Sequence, residues 1–158
     1  MFKIFIFSTI TGGTNPHLCN DTADIVKQCD LVKNLSVINT DAIFADGVTI
    51  GAQCSIDKCT IGANTVLCDR TTVGKKVVIG SNVVLKNNVE VMTEAQIGDG
   101  TVINHDTVIA CGVSIGSDCV IGAKNEIGSK VIIKNFVTTG SRKIFNENTV
   151  IGVGSKIM

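Results

Sequence analysis

The feature that most constrains this chain is a six-residue ladder. Stepping by six from Ile61 gives Ile61, Leu67, Val73, Ile79, Leu85, Val91, Ile97, Ile103, Ile109, Ile115, Ile121, Ile127, Ile133, Thr139, Phe145, Ile151 and Ile157, all apolar except Thr139 and with no slip of register. An α-helix cannot hold such a stripe, because six is no multiple of 3.6 and β-branched residues dominate. A sandwich of short strands would have turns of varying length, so an unbroken register would be a coincidence. Six residues accommodate a short strand and a sharp turn, with alternate side chains pointing inward. Glycine often follows the ladder residue, as at Gly62, Gly80, Gly98 and Gly116, which suggests a bend or a positive φ there. The fourth residue after it is usually small or β-branched, from Thr65 to Cys119. Repeats of this kind predict an all-β parallel β-helix. Three strands make one coil, residues 18 apart stack about 4.8 Å from one another, and each coil is stabilised by its neighbours.

The rhythm begins earlier, at Val32, Ile38, Phe44, Ile50 and Ile56, and the step from Ile56 to Ile61 is one residue short. The β-helix domain is therefore read as 31–158, preceded by a short segment, 1–30. That segment opens with an alternating stretch, Phe2 to Phe7, expected to be a strand. A turn cluster from Thr11 to Pro16 follows, then a short helix near Asp21–Gln28. No Gly-x-Gly-x-x-Gly follows the strand, and there is no room for a full βαβ unit.

Composition narrows the function classes. Without Trp or Tyr, the core is built from aliphatic and small residues. A net charge of zero and the lack of a basic run argue against nucleic acid or an anionic membrane as partner. No stretch approaches the roughly 18 continuous apolar residues of a membrane span, and no signal-peptide pattern opens the chain. The seven cysteines are odd in number and have no framework spacing. They read as free thiols of a cytoplasmic protein. Cys54, Cys59 and Cys119 fall in inward positions as small hydrophobes, and no metal site is expected.

His105 is one of two histidines. It lies two residues after Ile103, so the repeat puts it at a corner of the coil. Steps of 18 along that corner give Asp69, Asn87, His105, Ala123 and Ser141 as one vertical line. Cys111 falls at a different corner and is not expected to be a nucleophile. His17, in the opening segment, reads as structural or at most as an acceptor contact. Two histidines are too few for the three-His zinc site of a carbonic anhydrase.

Ile103-Asn104-His105-Asp106-Thr107 resembles the His-Asp/Glu motif of hexapeptide-repeat acyltransferases. The branch it resembles contains sialic acid O-acetyltransferases and N-acetyltransferases of nucleotide-linked amino-deoxysugars. The stretch from Lys143 through Asn146-Glu147-Asn148-Thr149 to Gly154-Ser155-Lys156 is similar to that family's terminal motif, with Asn146 and Gly154 in place of two prolines. The resemblance implies a left-handed β-helix, a homotrimer with active sites between subunits, and acetyl transfer from acetyl-CoA to the amine or hydroxyl of a sugar. It gives His105 the role of general base, with Asp106 supporting it and orienting the ring. It places acetyl-CoA near Ala123, Gly140 and Ser141, with Gly122 at the same corner. Lys143, Lys156 and Arg142 are candidates for the CoA phosphates. Asn87 and Asn104 fall on the acceptor side. Ser114 stands where the branch often has a second histidine. A non-catalytic β-helix scaffold is the alternative.

Overall fold

The computed structural model describes residues 4–5 and 36–158, and within them every regular element is a strand, β1 to β22 in chain order. From β2 (Ser36–Ile38) on, each strand pairs in parallel with the strand three places later, which builds three flat faces. The architecture is the parallel β-helix that the repeat predicts, of the left-handed kind that the family resemblance implies. Face 1 stacks Ile38, Ile56, Val73, Val91, Ile109, Ile127 and Phe145. Face 2 stacks Phe44, Ile61, Ile79, Ile97, Ile115, Ile133 and Ile151. Face 3 stacks Ile50, Leu67, Leu85, Ile103 and Ile121, and then Thr139 and Ile157. The 18-residue register holds throughout the long ladder, as in Leu85 opposite Ile103 and Ile103 opposite Ile121. It is 17 wherever a pair spans the short step, as in Ile50 opposite Leu67.

Two residues per hexapeptide fill the prism. Between Val48 and Thr139 the ladder residues are buried, and so are the positions two before them, including Val48, Cys54, Cys59, Val83, Val113 and Cys119, while Phe44 and Ile157 near the ends are half-buried. Each fully buried Ile, Leu or Val side chain contributes about 1.5–3 kcal/mol, so the stripe is the main source of stability. Between the two inward residues one side chain points out. On face 3 these outward residues include Val66, Val84, Val102 and Val120, an aliphatic stripe on the surface.

The glycines require a correction. Positive φ does not occur at the glycine after the ladder residue; it falls two residues later. Fourteen non-glycine residues there adopt it, among them Arg70 (φ 59), Asn88 (φ 59), Asp106 (φ 59) and Phe136 (φ 61), together with Gly47, Gly100, Gly112 and Gly154. The glycine directly after the ladder residue answers to space instead. A Cβ on Gly62 would come 2.5 Å from the carbonyl carbon of Gly80, and one on Gly98 would come 2.6 Å from that of Gly116. Successive coils touch backbone to backbone at these corners. The short turn Asp57–Cys59 is the one from Phe44 onward without a left-handed residue.

Part of the opening segment is seen. β1 (Ile4–Phe5) lies antiparallel to β2, with Ile4 opposite Val37, so the expected strand exists at its centre. The expected helix near Asp21–Gln28, His17, Val32 and most of segment 1–30 lie outside the described residues. No helix among the described residues is long and apolar enough to cross a membrane.

Candidate functional site

The edge where face 3 turns into face 1 carries the line expected from the sequence. The backbone confirms the stacking step by step. The amides of Asn88, Asp106, Lys124 and Arg142 donate to the carbonyls of Asn87's predecessor in the line, Asp69, and then of Asn87, His105 and Ala123, at 2.9–3.1 Å. Asp69, Asn87, His105, Ala123 and Ser141 therefore share one edge.

His105 is half-exposed, and its Nδ1 lies 2.8 Å from Asp106 Oδ2. The turn makes this contact possible. Asp106 takes the left-handed conformation that an Asp tolerates, and its other carboxylate oxygen accepts a bond from Asn88 Nδ2 at 2.8 Å. Bonds from His105 first and Asn88 second hold the Asp106 carboxyl below the usual carboxylate range. The carboxylate is thus ionised at neutral pH and fixes the imidazole. With Nδ1–H donated to Asp106, Nε2 presents its lone pair outward.

On the N-terminal side of His105 an open depression is lined by Arg70, Lys86, Asn87, Asn88 and Asn104. Asn104 is partly committed, since its Nδ2 donates to the carbonyl of Ile121 at 2.8 Å. On the C-terminal side lie Gly122-Ala123-Lys124 and Gly140-Ser141-Arg142. Ser141 Oγ accepts the Ala123 amide at 3.1 Å, and the Gly122 amide is held by Thr139 Oγ1 at 3.1 Å. Lys143 Nζ donates to the carbonyl of Met158 at 2.8 Å. Arg70, Lys86, Lys124 and Arg142 form no ion pair among the described residues. The turns between faces 1 and 2 are balanced in charge, with Lys58, Lys75, Lys76 and Lys130 against Asp41, Asp57, Glu94 and Glu147, and Lys58 pairs with Asp41 and Lys76 with Glu94. The described turns of the His105 edge carry Arg70, Lys86, Lys124 and Arg142 against Asp69 and Asp106, a net positive charge that attracts anions.

The remaining expected residues are spread out. Ser114 sits in β15 (Ser114–Ile115) on face 2, away from His105 in the same chain. Lys156 projects from face 3 in the last coil. Cys111 is exposed at the edge between faces 1 and 2, as expected, while Cys54, Cys59 and Cys119 are buried. Sequence reasoning missed Arg70, Lys86, Asn88 and Lys124. The same 18-residue step, applied one position to either side of the His105 line, finds them. It also missed Asn125, a fully buried amide beneath this corner.

A family model of the bacterial transferase hexapeptide (six repeats) matches residues 94–129, the segment that holds His105 and Asp106. No curated protein matches the chain. Among solved structures, a mutant perosamine N-acetyltransferase from Caulobacter crescentus, in complex with CoA and GDP-perosamine, is 16% identical. The match covers 82% of this chain and 60% of that one, with a TM-score of 0.53. The acetyltransferase domain of PglB from Neisseria gonorrhoeae is 18% identical over 85% of this chain and 60% of that one, at 0.45. The UDP-N-acetylglucosamine acyltransferase of Francisella novicida is 23% identical over 77% and 56%, at 0.42. The chain thus spans less than two thirds of the length of these structures. The Caulobacter similarity establishes a shared fold.

Proposed function

We propose that this hexapeptide-repeat protein is an acetyl-CoA-dependent acetyltransferase acting on a sugar, with the amine of a nucleotide-linked amino-deoxysugar as acceptor. The observation that carries the reading is the His105–Asp106 pair on an edge whose turns carry a net positive charge. Small residues stand on the C-terminal side of that pair and a polar depression on the other. Proteins of similar fold act on such substrates: the Caulobacter enzyme is a perosamine N-acetyltransferase bound to CoA and GDP-perosamine.

In this mechanism His105 Nε2 takes a proton from the acceptor amine as its nitrogen bonds to the acyl carbon. Asp106 holds the ring and balances the imidazolium. The C–S bond then breaks, the proton passes to the leaving thiolate, and an N-acetyl sugar and CoA result. The Ala123 amide is the donor for the developing oxyanion once Ser141 Oγ gives it up. The Gly122 amide remains engaged by Thr139. Lys124, Arg142, Lys143 and Lys156 offer charge to the CoA phosphates. Arg70 and Lys86 do the same for an anionic acceptor beside Asn87 and Asn104.

The valine stripe of face 3 borders the His105 edge. We take it as the contact of a homotrimer, which would place Ser114 of a neighbouring subunit near the same groove. Free thiols persist in the cytosol, the setting we assign. The deciding experiment is release of CoA from acetyl-CoA with a panel of amino-deoxysugar nucleotides and hydroxyl acceptors, using the wild type and His105→Ala. Transfer by the wild type and its loss in a folded His105→Ala protein are expected. Full activity in that variant refutes the role of His105. The scaffold reading draws on Ser114 and on the occupied Ala123 amide, and it predicts no calorimetric binding of acetyl-CoA.

A further inference from the structure

Thr139 is the only polar residue of the long ladder, and the coil-to-coil bonding is altered where it stands. At the other corners the amide after the ladder residue donates to the ladder carbonyl of the next coil, as Gly98 does to Ile115, Asn104 to Ile121 and Gly140 to Ile157. At Gly122 that bond is replaced: its amide donates to Thr139 Oγ1 at 3.1 Å, and β16 (Val120–Ile121) and β19 (Thr138–Thr139) keep only the Val120–Thr138 pairing. The second partner is Asn125, which is fully buried. Its Nδ2 donates to Thr139 Oγ1 at 2.9 Å and to the Gly140 carbonyl at 3.0 Å, and its Oδ1 accepts the Lys143 amide at 2.8 Å.

The fold does not require this pair. Elsewhere a buried hydroxyl does the work of Asn125. Thr101 Oγ1 donates to the Gly116 carbonyl and accepts the Cys119 amide, and Thr107 does the same for Gly122 and Asn125. A threonine at 125 and an isoleucine at 139 would satisfy the same groups in the regular pattern. Burying an additional amide and hydroxyl in an aliphatic prism is unfavourable compared with apolar packing. The irregularity is confined to the corner that faces the acyl-donor side of His105, and it detaches Gly122 from the rigid ladder directly beside the Ala123 amide.

We infer that Asn125 and Thr139 are positioning residues that aim the Ala123 amide, and with it the Gly122–Lys124 turn, at the acyl group next to His105. The inference rests on the acetyltransferase reading. Neither side chain reaches the surface, so both act through the backbone.

The test compares wild type, Asn125→Thr/Thr139→Ile, and Thr139→Ser. The double variant restores the regular corner. It is expected to melt no lower than the wild type and to keep the pH dependence of transfer, because the His105 coil is untouched. Its kcat is expected to fall roughly 10- to 100-fold, the scale of a small misplacement at a reacting centre. Thr139→Ser keeps the hydroxyl and should retain at least half of kcat. Wild-type kcat in the double variant overturns the inference. So does a loss of tenfold or more in kcat for Thr139→Ser, an outcome that remains readable if the double variant fails to fold. A wild type that neither binds acetyl-CoA nor transfers acetyl refutes the acetyltransferase reading itself, and the inference falls with it. An active wild type with an equally active double variant sinks the inference alone.

Discussion

Ala123→Asn should make the protein more stable and much less active. The corners of the prism have a recurring device in which the side chain two after the ladder residue catches the equivalent amide of the coil before. Asp69 Oδ1 takes the Ala52 amide at 2.8 Å, Asp99 Oδ1 the Ser81 amide at 2.7 Å, and Asn135 Oδ1 the Ser117 amide at 3.1 Å. Ala123 occupies the same position one coil after His105 and has no atom to offer. The His105 amide accordingly has no acceptor among the described residues. An Asn at 123 supplies one in a backbone conformation that Asn135 already adopts. A new hydrogen bond is worth about 0.5–1.5 kcal/mol net, and in a domain of this size each kcal/mol raises the melting temperature by about 2–4 °C. The same side chain fills the small space between His105 and Ser141, where the acyl group would lie. Displacing the reactants there should cost roughly 100-fold or more in kcat/KM. Thermal melting followed by circular dichroism and a thiol-release assay read the two effects separately. Unchanged kcat/KM would show that the acyl group does not occupy this space. A lowered melting temperature would show that the corner geometry is not transferable.

Asp106→Asn tests the His105 pair. Asn also tolerates the left-handed turn, so the fold should be kept while kcat/KM drops roughly 10- to 100-fold, the scale seen for carboxylates that orient metal-binding histidines. The native carboxyl is held below its ordinary value of 3.8 by the His105 and Asn88 bonds. Its contribution is therefore complete above that value and is lost only as pH falls through the lower folded value. The wild-type rate profile should therefore show no inflection from Asp106 between pH 4 and 8. Burial first, then the nearby Asp57 charge, push the Cys59 thiol up to about 12 from 9.0. The unfolded thiol loses its proton first, so stability should fall between pH 9 and 12, and Cys59→Ala should flatten that decline in urea titrations. Among the described cysteines, Cys111 should be alkylated first and Cys54, Cys59 and Cys119 only on unfolding, as read by peptide mass spectrometry. Phe136 adopts φ 61 and is exposed. Phe136→Asn should stabilise by about 1 kcal/mol, because a left-handed conformation costs an ordinary residue roughly that much, and denaturant midpoints measure it.

The ladder was legible because its side chains alternate in and out with a fixed period, so Ile103 and Ile121 could be matched by counting. The His105 line was legible for the same reason. The reason for the glycines was not, because Gly62 and Gly98 answer to the backbone of the neighbouring coil, and a one-dimensional pattern does not show how closely two coils approach. Thr139 stood out only as an exception. Its meaning depends on Asn125, fourteen residues earlier, reaching it through the interior. The cations Arg70 and Lys86 belong to no motif, and only their stacking beside Asn87 and His105 on one edge gives them a site to serve. The acceptor side was not legible for a related reason: its chemistry depends on neighbouring groups more than on any motif.

His105 follows the fourth of seven strands on its face, from Thr49–Ile50 to Lys156–Ile157. From β3 on, strands pair only along their own face with the coils next to them, so loosening passes from coil to coil, as a stack of coins spills from top or bottom. With three strands of its face on either side of it among the described residues, His105 sits where thermal fraying of the outer coils arrives last. A protein that loses its outer coils transiently would still keep this corner closed.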